Sequence, residues 1–260
     1  MKSDQRQVVV VTGASSGIGR SLALGWAKRG ACVVISGRDE VALAAVKREI
    51  EAAGGEALSE PGDVTDPRAR IRLIERARRE RGRIDVLVNN AGRGYYSAIR
   101  DIDLGELEAL FALNVIAPVH LTQLALDDLA RSSGTVVMVS SIAGVAAVAK
   151  MGAYAATKFA LEAVSMSLRA EVSALGISVV VVRPGPVETP FRANSVTRNT
   201  EPGVRVKSTK VQTPDDVAEQ TIRAVEKHRS IVETSLFVRI ASFGARVVPR
   251  VFRVVSARVT

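Results

Sequence analysis

The chain has 260 residues, of which 47% are hydrophobic and only 4% aromatic, and it carries a formal net charge of +9. That length fits one α/β domain with a sizeable core built from Val, Ala, Leu and Ile. A single cysteine, Cys32, excludes an intramolecular disulfide and a cysteine-rich metal site, and no run of about 18 apolar residues is present to span a bilayer.

In chain order, apolar β-branched runs alternate with helical patterns. Val8–Thr12 predicts a first strand, and its apolar part is too short for a secretory signal core. A helix is expected over Ile18–Arg29, a strand over Cys32–Ser36 and a helix over Val41–Ala53. Cys32 lies inside an apolar run, so a buried thiol is expected, in keeping with a reducing, cytoplasmic setting. Ala57–Ser59 is a short third strand, Pro67–Arg81 a helix and Asp85–Asn89 a fourth strand. Leu104–Ala130 predicts a long helix with a bend at Pro118. Thr135–Ser140 and Ser178–Arg183 are the fifth and sixth strands, with a helix over Ala153–Leu175 between them. Unbroken apolar strands predict burial on both faces. The βαβ alternation predicts a doubly wound, Rossmann-like parallel sheet with helices on both faces, in a single domain spanning 1–260. The segment 186–210, rich in Thr, Asn, Arg, Pro and Gly, fits neither pattern; a loop this long is functional or disordered, and a substrate loop is expected.

The basic excess must be located before it implies an anionic partner. Arg68–Arg83 reads RARIRLIERARRERGR, with Glu75 and Glu80 interspersed. It predicts a solvated helix face, and it lacks the aromatics that stack bases, so no nucleic acid is expected. His120 and His228 each stand alone, so no metal is expected.

Immediately after the first strand come Gly13-Ala14-Ser15-Ser16-Gly17-Ile18-Gly19, opening a helix. Glycines permit a tight turn and close approach of backbone N–H groups to a pyrophosphate, and a helix N-terminus favours negative charge. No Lys-Ser/Thr follows the last glycine, so this is not a P-loop. The end of the second strand selects the cofactor: a carboxylate holds a ribose 2′-OH, an arginine a 2′-phosphate. Ser36-Gly37-Arg38 favours NADP(H), although Asp39 and Glu40 keep an acidic reading open.

Tyr154 and Lys158 are four residues apart, on one face of the helix after the fifth strand. A free tyrosine titrates near pH 10, and a nearby ammonium favours the phenolate. Such a pair can take a proton from an alcohol or give one to a carbonyl oxygen as hydride arrives. Ser141, just past the fifth strand, can hydrogen-bond the same oxygen.

These residues together closely resemble the short-chain dehydrogenase/reductase family in its compact form. The matching elements are TGASSGIG at 12–19, Asp63-Val64, NNAG at 89–92, Asn114, Ser141, YAATK at 154–158 and the run from Pro184-Gly185 to Thr189. The resemblance implies NADP(H)-dependent hydride transfer with Tyr154 as acid/base and Ser141 orienting the carbonyl. It implies that Lys158 lowers the tyrosine pKa and holds the nicotinamide ribose, and that Asn114 holds a water linking Lys158 to solvent. Gly13, Ser15, Ser16, Gly17, Ile18 and Gly19 would hold the pyrophosphate and Arg38 the 2′-phosphate. Asp63 and Val64 would contact adenine, while Asn90, Ala91 and Gly92 line the cleft. Pro184, Gly185, Val187 and Thr189 would pack along the nicotinamide. Asn89 reads as a sheet-bracing hydrogen bonder. A homo-oligomer, dimer or tetramer, is expected on the helices at Leu104–Ala130 and Ala153–Leu175.

The chain departs from the family pattern at Ala117, where a glycine is common, and in its tail. From Leu236 onward an apolar helical pattern carries Arg239, Arg246, Arg250 and Arg253 within a stripe of about 60°. Residues 236–260 could cover the substrate pocket, pack on a second subunit or make peripheral membrane contact. With the 186–210 loop they predict an apolar lid for a hydrophobic carbonyl or alcohol substrate of lipid, steroid or polyketide type. Two other readings are a non-catalytic NADP(H) sensor and a membrane-associated scaffold. The sensor reading is disfavoured because Asn114, Ser141, Tyr154 and Lys158 are all in place.

Overall fold

Each half of the chain alternates strand and helix, and the structure, a computed structural model, describes residues 6–199 and 211–247. Its elements in order are β1 (Val8–Thr12), α1 (Gly17–Lys28), β2 (Cys32–Ser36), α2 (Glu40–Ala52), β3 (Glu56–Ser59), α3 (Pro67–Arg81), β4 (Val86–Asn89) and the short β5 (Tyr95–Tyr96). Then follow α4 (Leu104–Phe111), α5 (Ala117–Ser132), β6 (Thr135–Val139), α6 (Gly152–Val172), β7 (Ser178–Arg183), the short β8 (Val196–Thr197), α7 (Pro214–Glu226), β9 (Ile231–Glu233) and α8 (Leu236–Val247).

Seven strands form one parallel sheet in the order β3-β2-β1-β4-β6-β7-β9. All six expected strands are present, and α7 and β9 complete a part of the chain that the apolar patterns left unassigned. The order reverses between β1 and β4, and open α/β sheets bind ligands beyond the strand C-termini at such a point.

The strands read as unbroken apolar runs because each feeds two cores. Val9, Val11, Val33 and Ile35 pack with Leu22, Trp26, Ile50 and Ile222 on one side. Val8, Val10 and Val34 pack with Leu73, Leu121 and Leu161 on the other. Cys32 is fully buried among them.

The long helix arrives as α4 and α5 joined by one π-helical turn at Ala112–Ile116. Pro118 has no N–H to offer the preceding turn, so the expected bend takes the form of a widened turn just ahead of the proline. Leu104–Ser132 is long and apolar enough to cross a membrane, yet Leu121, Ala125 and Leu129 lie in the core against the sheet.

The basic run on α3 differs from a plain solvated face. Arg70 is buried, and several neighbours pair with acids on other elements: Arg78 with Asp128, Arg81 with Glu56 and Arg72 with Glu60. Asn89 braces β4 as expected, its amide donating to Thr122 Oγ1 at 3.3 Å. The tail positions Arg250 and Arg253, and 200–210 of the expected substrate loop, lie outside the described residues.

Candidate active site

The turn after β1 is built for close approach. Gly13 and Gly17 have φ of +65° and +54°, which side chains rarely adopt. A Cβ on Gly19 would lie 2.2 Å from the Gly13 carbonyl oxygen and 2.4 Å from Asn90 Nδ2. Asn90 in turn donates to the carbonyls of Thr12 at 2.9 Å and Gly13 at 3.1 Å, stitching the end of β4 to the turn. Thr12 Oγ1 accepts from the backbone N–H groups of Asn90 and Ala91. The Ser15–Gly19 stretch then opens α1, whose N-cap Ser16 makes no side-chain cap and whose first turn has no acid. By contrast α2, α3, α4 and α7 are each capped by an Asp or Thr side chain. The uncapped N–H groups of α1 are what an anion would need.

At the end of β2, Gly37 is buried and Arg38 is exposed, with no ion pair among the described residues. Asp39 accepts from Ala42 N at 2.9 Å as the cap of α2, so its carboxylate already has a task. Asp63 Oδ1 accepts from the N–H and hydroxyl of Thr65, both at 2.8 Å. The Val64 side chain is in the core, so any contact it offers a ligand comes from its main chain.

At the end of β6, Ser141 Oγ accepts from Ala143 N at 3.1 Å. Tyr154 and Lys158 project from α6, both buried, with Lys158 Nζ 5.8 Å from the Tyr154 ring centroid. Burial acts most strongly on the Tyr154 hydroxyl, and the nearby Ser141 hydroxyl acts in the opposite direction, toward the phenolate. Burial outweighs it, and the phenol is pushed well above its ordinary value. Lys158 donates to the Val139 carbonyl at 2.8 Å; burial pushes its ammonium down to about 8, opposed by Glu162. The direction at Tyr154 is upward, opposite to the lowering expected from Lys158, with burial as its largest cause.

Asn114, in the π turn, is fully engaged as a donor. Its amide donates to the Arg93 carbonyl and to Thr157 Oγ1, each at 3.0 Å, and its oxygen accepts from Arg93 N at 3.1 Å. The side chain thus clamps the Gly92-Arg93 segment to α6 and keeps one acceptor lone pair for anything else.

The loop after β7 closes the site. The Pro184 carbonyl accepts from Ile142 N at 3.0 Å, beside Ser141. Val187 bridges Gln212, and Thr189 Cγ2 lies 3.0 Å from where a Gly17 Cβ would stand. Gly185 is overlain by Val238 of α8. The loop thus brings Thr189 against the glycine turn and Pro184 beside Ser141, and β8 pairs with β5 to hold its far end.

Three features are absent from the sequence reading. Phe191 packs on Tyr154, with ring centroids 5.7 Å apart, alongside Met151 and Ala143. Tyr96 is close enough to perturb the Tyr154 hydroxyl. Arg183, at the end of β7, makes a buried two-pronged pair with Glu162 at 2.9 and 2.7 Å and reaches Glu233 at 3.2 Å. Phe191 carries a weak signal, as a lone aromatic five residues past Pro186; the ion network carries none. Among the described residues no His, Cys, Asp and Glu cluster is placed to hold a metal.

A family profile described as short chain dehydrogenase matches residues 7–200. An uncharacterized oxidoreductase of Staphylococcus saprophyticus is 34% identical over 238 residues, covering 90% of this chain and 97% of that protein. A metagenomic short-chain oxidoreductase solved in complex with NADP is 33% identical, with a TM-score of 0.72 over 87% of this chain and 93% of that one. A short chain dehydrogenase/reductase from Burkholderia phymatum solved with NAD shares the fold, with a TM-score of 0.84 at 23% identity over 100% of this chain and 98% of that one.

Proposed function

The chain belongs to the short-chain dehydrogenase/reductase family of oxidoreductases, and from that premise we propose that it transfers a hydride between NADP(H) and a carbonyl or secondary alcohol of a hydrophobic substrate. The observation that carries this reading is the buried Tyr154–Lys158 pair on α6, with Ser141 near the Tyr154 hydroxyl, at the same end of the sheet as an uncapped helix N-terminus.

The residues present fit a dinucleotide. The unshared N–H groups at Ser16–Gly19 suit a pyrophosphate, with Gly13, Ser15 and Ser16 around it. Arg38, with no ion pair among the described residues, suits a 2′-phosphate, while Asp39 is taken by the α2 cap; this favours NADP(H), which is also what the metagenomic neighbour holds. Asp63 and the Val64 main chain suit the adenine. Asn90, Ala91, Gly92, Pro184, Gly185, Val187 and Thr189 would line the rest of the cleft. When bound, NADP(H) supplies or accepts the hydride.

Ser141 would hold the substrate oxygen and Tyr154 would pass it a proton. A phenol is protonated at neutral pH, so Tyr154 can donate its proton, as reduction requires. Lys158, already on the Val139 carbonyl, would hold the ribose and replenish the charge balance after transfer. Asn114 would act by fixing the Gly92-Arg93 segment against α6. Phe191, Met151 and Ala143 around Tyr154 supply an apolar wall, which favours a lipophilic ketone. Exposed Ile116, Phe159 and Met166 on the outer faces of α5 and α6 support a homo-oligomer built there.

The test is NADPH oxidation against a panel of ketones. Lipophilic ketones should be reduced with higher kcat/KM than small polar ones, and Tyr154→Phe should lose turnover while retaining NADPH binding. Turnover retained in Tyr154→Phe would overturn the mechanism; a preference for small polar ketones would overturn the substrate class.

A further inference from the structure

The last described helix has two unlike sides. At about 100° per residue, Val238, Ser242 and Ala245 fall on one side of α8 and Leu236, Ile240, Phe243 and Val247 within about 60° on the other. The first side faces the protein: Val238 and Ser242 are buried, Val238 is seated over Gly185, and the helix touches the Ile142–Gly144 turn. The second side carries four large apolar side chains that are 68%, 63%, 65% and 59% exposed, with Phe237 beside them. Arg239 is exposed at the border of this stripe and has no ion pair among the described residues. Residues 236–260 contain arginines at 239, 246, 250, 253 and 258 and no Asp or Glu.

We propose that α8 docks the protein onto an anionic lipid surface, with the Leu236/Ile240/Phe243/Val247 stripe entering the acyl boundary and Arg239 at its border meeting lipid phosphates. An interfacial helix of this kind needs an outward apolar face flanked by cations whose long stems reach back to the headgroups. Charge selects a bilayer over a second copy of the chain. An antiparallel two-fold contact through this stripe would set Arg239 of one copy beside Arg239 of the other, with no acid in residues 236–260 to neutralise them. An anionic leaflet supplies the missing charge. Because α8 rests on Gly185, a docked helix would hold the strand C-termini roughly one helix diameter, about 10 Å, from the bilayer. The docking does not depend on the oxidoreductase reading.

Co-sedimentation of the full chain with vesicles tests this. Phosphatidylcholine vesicles containing about one-third phosphatidylserine should bind the protein, and phosphatidylcholine alone should bind it at least roughly tenfold more weakly. Arg239→Gln should weaken binding about fivefold, the effect of one cation at a charged membrane surface. Ile240→Glu with Phe243→Glu should weaken it by more than about tenfold, and both variants should keep the native circular dichroism because the changed side chains face solvent. A native chain that stays in the supernatant with anionic vesicles would overturn the proposal. So would undiminished binding by the double variant, or a smaller assembly for that variant in light scattering, which would make the stripe a contact between copies. Ketone-dependent NADPH oxidation in the same preparations reads the catalytic proposal separately.

Discussion

Glu162→Gln should cost stability out of proportion to the one charge it removes. The Arg183 side chain is 3% exposed and Glu162 9%, and the two meet through two hydrogen bonds. Removing one partner of a buried pair typically costs about 3–5 kcal/mol because the other charge is stranded. Glutamine leaves Arg183 one acceptor in place, and Glu233 still reaches it at 3.2 Å, so a loss of about 2–3 kcal/mol is expected. In a chain of this size that is a fall in Tm of roughly 4–6 °C. Urea unfolding would read it as a lower midpoint with an unchanged slope. The double replacement Glu162→Leu with Arg183→Met should recover much of the loss, because the charge then left without its partner, Glu233, is partly exposed to water. A loss under about 0.5 kcal/mol for Glu162→Gln, or a double variant no better than it, would refute the reasoning. Activity offers a second readout. Glu162 holds the Lys158 ammonium up, so in Glu162→Gln the high-pH fall of kcat/KM should move to lower pH.

Burial lowers Lys158 from 10.5 to about 8, so between those values the unfolded chain holds a proton that the folded chain has lost. Ligand-free stability should therefore climb with pH across that window and be lowest below it. Lys158→Met should flatten the climb and raise stability at neutral pH by roughly 2 kcal/mol, after allowing for the Val139 carbonyl losing its donor; urea midpoints at the two ends of the window check it, and a persisting climb would point to another group. Arg38→Ala should lower kcat/KM with NADPH about 10–100-fold while NADH changes little; equal losses with both would remove Arg38 from cofactor selection. Gly19→Ala drives a Cβ into the Gly13 carbonyl and should cost about 1–3 kcal/mol together with most of the cofactor affinity. Gly30→Ala, at a φ of +83° with open space around it, should cost about 1 kcal/mol and leave cofactor affinity alone, as isothermal titration would show.

The fold was legible where burial is two-sided. Val8–Thr12 and Ser178–Arg183 read as strands because both faces are apolar, and their observed bounds agree. β9 escaped because it is a three-residue edge strand with only Val232 buried. α7 did carry a signal, the Thr213-Pro214-Asp215-Asp216 capping pattern ahead of apolar Val217, Ile222 and Val225, which apolar runs alone do not catch. At the site, Tyr154 and Lys158 are joined by local helix geometry, so spacing was sufficient to place them together. Phe191 and the Glu162–Arg183 pair are contacts across 37 and 21 positions of sequence, which local pattern does not encode. The direction of the Tyr154 shift was likewise beyond what spacing could supply, because burial of the hydroxyl is its largest cause.

The alternation of β1 between two cores sets how substitutions there combine. Val9 and Val11 share neighbours on the α1 and α7 side, whereas Val8 and Val10 share neighbours on the α3 and α5 side. Truncations at Val9 and Val11 draw on one cavity-forming environment and should be non-additive, as should those at Val8 and Val10. Truncations at Val9 and Leu121 fall on opposite sides of the sheet with no shared partners, so their costs should add. The central strand is in that sense a partition, and variation on one side of the sheet is free to accumulate with little regard to what the other side has already lost.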